Sequence, residues 1–90
     1  MLKNISYTSQ FKKDLEKAKK QKRKIGILQE IINLLVHEEN IPQKFRDHKL
    51  IGNYKNHREC HIEPDFLLIY SVKDNTLFLE RLGSHSELFR

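Results

Sequence analysis

The stretch RECHIEPDFLLIYSVKDNTLFLERL, residues 58–82, decides the fold. Phe66–Val72 is an apolar run rich in aromatic and branched residues, Lys73-Asp74-Asn75 is turn chemistry, and Thr76–Leu82 returns as a second strand-like segment, so the pair predicts a β-hairpin. Ahead of it, Arg58–Ile62 reads as a shorter strand that puts Cys60 and Ile62 on one face and Glu59, His61 and Glu63 on the other, with Pro64-Asp65 as the turn. His61 is therefore expected to point away from whatever covers the apolar face.

Toward the N-terminus the periodicity changes from two to about four. Leu28, Ile31, Ile32 and Leu35, supported by Ile27 and Leu34, mark one face of a helix that ends by Asn40, before Pro42. A short amphipathic helix precedes it, with Thr8 or Ser9 as N-cap, Phe11, Leu15 and Ala18 inward, and Lys12, Lys13, Lys17, Lys19 and Lys20 elsewhere. Leu2–Tyr7 forms a short strand with Ile5 and Tyr7 inward. Residues 41–56 read as an ordered connection anchored by Phe45, Leu50 and Tyr54. The order βααβββ predicts an α+β domain over residues 1–90, with two N-terminal helices packed on one face of a mainly antiparallel sheet. The opposite face and its strand ends are left for function.

Ninety residues leave no room for a second domain or a deep cofactor pocket, so a site on this chain is a shallow surface one. Seventeen Lys and Arg against twelve Asp and Glu give a formal charge of +5, which favours a polyanionic partner. The single cysteine excludes an intrachain disulfide framework and any multi-cysteine zinc module, and fits a reducing compartment. No segment approaches the roughly 20 apolar residues that span a bilayer, and the expected location is the cytoplasm, away from membranes.

The residues that packing does not ask for are titratable ones at strand ends and in the terminal loop: His48, His61, Asp65, Arg81 and His85. Arg81 shares strand parity with Leu77 and Leu79, so a bulge or a fraying strand end is needed to turn it out. A metal reading of His57, His61 and Asp65 fails on spacing, because four residues of strand span about 13 Å. Cys60 reads as core filler.

The ordered set Asp47-His48, Gly52-x-Tyr54, Cys60-His61-Ile62-Glu63-Pro64-Asp65 and Arg81-x-Gly83-x-His85 with Phe89 resembles the YafQ branch of the RelE/ParE toxin superfamily. The resemblance implies a RelE-like fold and a type II toxin: a ribosome-dependent endoribonuclease that cuts mRNA in the 30S A site, without cofactor or metal. It also implies a cognate antitoxin, small and acidic where it meets this basic chain, with operator DNA touched only through their complex. Carried over residue by residue, the functional positions are His48, His61, Asp65, Arg81, His85 and Phe89. Phe66 stands where some relatives carry Trp and would be a base-stacking residue, and His57 where Tyr or Phe is common. The chemistry implied is acid–base cleavage: His85 as acid, Asp65 or His61 as base, His48 as second base or orienting group, Arg81 on the phosphate and Phe89 on a base. Lys12, Lys13, Lys19, Lys20 and Arg23 are expected to meet RNA by charge. The alternative in the same superfamily is a non-enzymatic gyrase-inhibitor type or an inactive toxin-like protein; the His/Asp/Arg set separates the first from a nuclease.

Overall fold

The computed structural model describes residues 1–89. Its elements run β1 (Asn4–Tyr7), α1 (Ser9–Lys20), α2 (Ile25–Val36), β2 (His48–Lys49), β3 (Arg58–Glu63), β4 (Phe66–Lys73), β5 (Thr76–Gly83) and α3 (His85–Leu88), with 3₁₀ turns at Gln43–Phe45 and Gly52–Tyr54. The five strands form one sheet in the order β1-β5-β4-β3-β2, with β1 parallel to β5 and every other pair antiparallel. The α+β class, the two N-terminal helices and the hairpin are as the sequence predicts. The two-residue edge strand β2 and the terminal helix α3 are additions to that order.

Local chemistry explains the framework. The β4–β5 turn is tight because Asp74 and Asn75 both take positive φ, +51° and +60°, which matches the right-handed twist of the flanking strands. Thr8 caps α1: its Oγ1 accepts the Phe11 N–H at 2.9 Å and donates to the Glu80 carbonyl at 2.8 Å, which ties the start of α1 to β5. Lys17, Lys19 and Lys20 in the last turn of α1 complement the helix dipole.

The main core lies between the helices and one face of the sheet, where Phe11, Leu28 and Ile31 meet Cys60, Leu68 and Leu79. A second, smaller cluster covers the other face, where Leu67, Ile69 and Leu88 pack under Leu50, Tyr54 and Phe89. All of Phe66–Tyr70 is consequently buried. A strand buried on both faces reads as a continuous apolar run, and this one does. The far face, which the sequence predicts to be left free, is thus closed over its centre by the 50–54 segment and α3. Ile5 and Tyr7 also differ from expectation. Their register with Leu77 and Leu79 puts them on the helix-facing side, yet β1 is the sheet edge and they stay 37% and 46% exposed. Leu2, 5% exposed, anchors the N-terminus instead.

Candidate active site

Two groups of side chains lie on the far face. The first is built by β2 and β3, whose register places His48 opposite Glu59. Glu59 and His61 share the face away from the helices because they are two apart on β3. Glu59 is 4% exposed, and its Oε1 lies 2.9 Å from His61 Nε2 and 3.4 Å from His48 Nε2. The two imidazole rings are 6.0 Å apart. One buried carboxylate therefore bridges two histidines.

Hydrogen bonding assigns the nitrogens. His48 Nδ1 is 2.7 Å from the Arg46 carbonyl, which can only accept, so that nitrogen carries a proton and Nε2 is the one left to gain one. The backbone that sets this is strained, with Arg46 at φ +49°. Next to it, Asp47 pins the segment to the sheet: its carboxylate accepts from Arg58 Nε and Nη2 at 3.2 Å each and from the Tyr70 hydroxyl at 2.5 Å. Asp47 raises the Arg58 pKa, while burial and then Asp47 push the Tyr70 phenol up. Burial also pushes the Cys60 thiol up to about 12, which leaves it an inert core residue.

The second group comes from β5, α3 and the Pro64-Asp65 turn. The register passes from Tyr70 opposite Leu79 to Ile69 opposite Arg81, so Glu80 is bulged out and Arg81 changes face. Of the two devices that could turn Arg81 out, the bulge is the one present. Its row then runs Glu59, Ile69, Arg81 across β3, β4 and β5, putting Glu59 and Arg81 two strand spacings, roughly 10 Å, apart at Cα. The guanidinium reaches around the edge of β5 to α1, where Asp14, 8% exposed, accepts from Arg81 Nε at 2.9 Å and Nη2 at 3.4 Å. Asp14 also accepts the Leu82 N–H at 3.0 Å. The Asp14 bond is the main cause that raises the Arg81 pKa, with a smaller contribution from Tyr54.

Ser84 starts α3 with a capping box: its side chain accepts the Glu87 N–H and Glu87 accepts the Ser84 N–H at 2.7 Å. Gly83 makes room for this, since a Cβ there would stand 2.9 Å from the Glu87 carboxylate. The ion pair with Lys17, followed by the Ser84 N–H, lowers the Glu87 pKa to about 2. Asp65 Oδ1 accepts the His85 main-chain N–H at 2.8 Å, fixing where α3 begins. The exposed His85 ring lies 4.8 Å from the Phe89 ring, and Phe89 meets Tyr54 edge-on at 5.6 Å.

The structure thus puts His48 and His61 together in one group, and Asp65, His85 and Phe89 together in another. Arg81 sits at the margin with its charge committed to Asp14. Phe66 is a correction: it is 1% exposed in the main core on the helix side, under the Arg23 guanidinium at 5.1 Å, and is not available to stack on a base. Strand parity is the reason, since Phe66, Leu68 and Tyr70 share the face opposite Leu67 and Ile69. That contact also takes Arg23 into packing. Lys12, Lys13, Lys19 and Lys20 are exposed on α1, on the helix side. The residues that sequence reading passed over are Glu59, Asp14 and Asp47. Glu59 had a signal, an acid two residues from His61 on one strand face; Asp14 looked like an ordinary polar residue of an amphipathic helix.

Among the described residues one group has metal-ligand geometry, His48, Glu59 and His61, with ligand atoms all within 4.8 Å of one another. It is a different set from His57, His61 and Asp65.

The five-stranded α+β fold thus carries a histidine–carboxylate cluster on β2 and β3 and a further histidine at the start of the Ser84-capped α3. Residues 3–90 match the family model described as the bacterial toxin of type II toxin–antitoxin systems, YafQ, and the chain belongs to that family. The chain is 37% identical over 87 residues to the mRNA interferase toxin YafQ of Escherichia coli K12, covering 96% of this chain and 95% of the relative. Among solved structures, YafQ in the E. coli DinJ–YafQ complex superposes with a TM-score of 0.90 at 36% identity, covering 98% and 99% of the two chains. A copper-bound mutant toxin from Helicobacter pylori gives a TM-score of 0.94 at 45% identity, covering 99% and 100%.

Proposed function

We propose that this toxin is a ribosome-dependent endoribonuclease that cuts mRNA by acid–base chemistry and is silenced by a cognate antitoxin. The observation that carries it is the Glu59 carboxylate bridging His48 and His61 on the face that also presents His85. His48, its Nδ1–H bonded to the Arg46 carbonyl, offers Nε2 to the ribose 2′-hydroxyl. Glu59, 3.4 Å from that same Nε2, then stabilises the imidazolium by its charge. The 2′-oxygen attacks phosphorus, the P–O5′ bond breaks, and His85 gives its proton to the departing 5′-oxygen, leaving a 2′,3′-cyclic phosphate and a 5′-hydroxyl. Arg81 has N–H groups beyond the two that Asp14 takes, and these meet the non-bridging oxygens. His61 holds Glu59 in place, and Asp65 acts as the residue that positions His85. Phe89 orders the His85 ring or stacks on a base.

The relatives' name as mRNA interferases supports this over a gyrase-inhibitor type, which has no use for the histidine set. The relative in complex with DinJ supports an antitoxin partner, expected to be acidic against this basic chain. The working site is the ribosomal A site in the cytoplasm, with residues 1–90 acting as one domain. Among the described residues no helix is long and apolar enough to cross a membrane. Cell-free translation of a defined mRNA, with 5′ ends mapped by primer extension, tests the proposal. Cuts that need ribosomes and vanish with His85→Ala support it; a translating reaction left uncut by the wild-type protein rejects it.

A second property is favoured by the geometry of His48, Glu59 and His61 and by the copper-bound relative. Two imidazoles and a carboxylate suit Cu(II) or Zn(II). Such an ion would occupy the nitrogens that proton transfer requires, so it would silence the toxin. Calorimetric titration with copper should give one site that Glu59→Gln weakens.

A further inference from the structure

Beyond the catalytic cluster, a concavity lies where β4 outruns β3. β3 begins at Arg58, opposite Tyr70, so Ser71 and Val72 extend past it without a β3 partner. The 50–57 segment folds over this end, leaving a groove of about 510 Å³ walled by Lys49, Leu50, Lys55, His57, Arg58 and Val72. That volume lies in the range of small-ligand sites, roughly 300–1,000 Å³. Its walls hold four basic side chains and, among the described residues, no carboxylate. Lys49 and Lys55 are exposed, and among the described residues neither is ion-paired. Arg58 gives Nε and Nη2 to Asp47, so its position is fixed while other N–H groups remain. Its apolar walls are Leu50 and Val72, the latter 51% exposed.

The groove is joined to the catalytic residues by a ladder of rings. His85 lies 4.8 Å from Phe89, Phe89 5.6 Å from Tyr54 and Tyr54 6.0 Å from His57, which is itself a wall of the groove. On its other flank Lys49 follows His48 in β2 and pairs with Arg58, so by strand alternation it takes the face opposite His48 at this end of the sheet. A ladder of partly exposed rings leading into a cleft where Lys49 and Lys55 carry no ion pair, while Arg58 is bonded to Asp47 and His57 lies 3.5 Å from Glu80 among the described residues, has the physical form of a single-stranded nucleic-acid track: bases find π-faces and the backbone finds cations. Double-stranded RNA would not suit it, since the rings are reachable only by unstacked bases.

We infer that this groove is a subsite for single-stranded RNA flanking the scissile bond, with Lys49 and Lys55 holding a phosphate of the same strand beyond the nucleotides at the cut. The inference rests on the mRNA-cleavage reading and names a second place where the same strand is gripped. Lys49 and Lys55 act in binding only, so their loss raises the RNA concentration needed for cleavage without lowering the maximal rate.

The test is an NMR titration of the full chain with a single-stranded 2′-O-methyl RNA hexamer, which the 2′-hydroxyl mechanism cannot cleave, at several salt concentrations. The expected result is saturable shifts at the amides of Lys49, Lys55, His57 and Val72. For the Lys49→Gln/Lys55→Gln double variant, the slope of log affinity against log salt should be shallower by roughly 0.7 per lost phosphate contact. Shifts confined to α1 around Lys12–Lys20, or a double variant with unchanged slope, would overturn the subsite. Cleavage of ribosome-bound mRNA by the same wild-type sample separates the two claims. A protein that cuts but shows no shifts in the groove keeps its activity and loses the subsite; one that shows the shifts and cuts nothing keeps an RNA groove and loses the nuclease reading.

Discussion

His48 and His61 are held by polar contacts to their rings, whereas His85 is held through its main chain. On the β2–β3 side a buried carboxylate bridges both rings, and Asp47, Arg58 and Tyr70 lock the segment that carries His48. On the α3 side Asp65 and the Ser84 capping box fix where the helix begins, and the His85 ring is left exposed against Phe89. The difference suits the two proton roles proposed for them. A base that must take a proton benefits from a fixed carboxylate that stabilises the resulting charge. An acid that must follow a departing oxygen needs a fixed origin and a free ring.

The largest effect should come from emptying either side. His48→Ala and His85→Ala should each lower ribosome-dependent cleavage by about 10²–10⁴-fold with little change in melting temperature. Equal, mild losses from both would erase the contrast. Asp14→Ala comes next. It orphans Arg81 and the Leu82 N–H at the bulge, so unfolding in urea should show a loss of about 1–3 kcal/mol together with reduced cleavage. Asp14→Asn should recover part of the stability and less of the activity.

Tyr70→Phe sharpens the comparison on the β2–β3 side alone. It deletes one hydrogen bond to Asp47, costing about 1 kcal/mol, and should move the His48 ring signals in an NMR titration while leaving those of His85 in place. The smallest effect concerns pH. Glu87 has its pKa lowered from the ordinary 4.5 to about 2, chiefly by Lys17, so its contribution is complete above 4.5 and is lost as the pH falls toward 2. The melting-temperature gap between wild type and Glu87→Gln should therefore narrow over that interval and stay flat above it.

The hairpin, both long helices and the outward face of His61 were legible because periodicity and turn chemistry are local. What was not legible depended on register. Phe66 could not be assigned a face from an apolar run with no polar partner alternating through it, and a base-stacking role was the wrong one. Arg81 needed a bulge whose existence the sequence demanded but whose position only the pairing of Ile69 and Leu79 reveals. Glu59, Asp14 and Asp47 acquire meaning from partners that are 2, 67 and 23 residues away, and only the nearest of these is within the reach of a pattern. The closing of the far face over Leu67 and Ile69 by Tyr54 and Phe89 is likewise a tertiary event, visible beforehand only as aromatic anchors in a connection.

The most direct test of the two-sided mechanism is the chemistry of the ends it leaves. Ribosomes programmed with a defined mRNA, treated with wild-type protein and analysed by mass spectrometry of the fragments, should yield 2′,3′-cyclic phosphate and 5′-hydroxyl termini that disappear together in His48→Ala and in His85→Ala. Fragments bearing 5′-phosphates, or unchanged cutting by both variants, would contradict it.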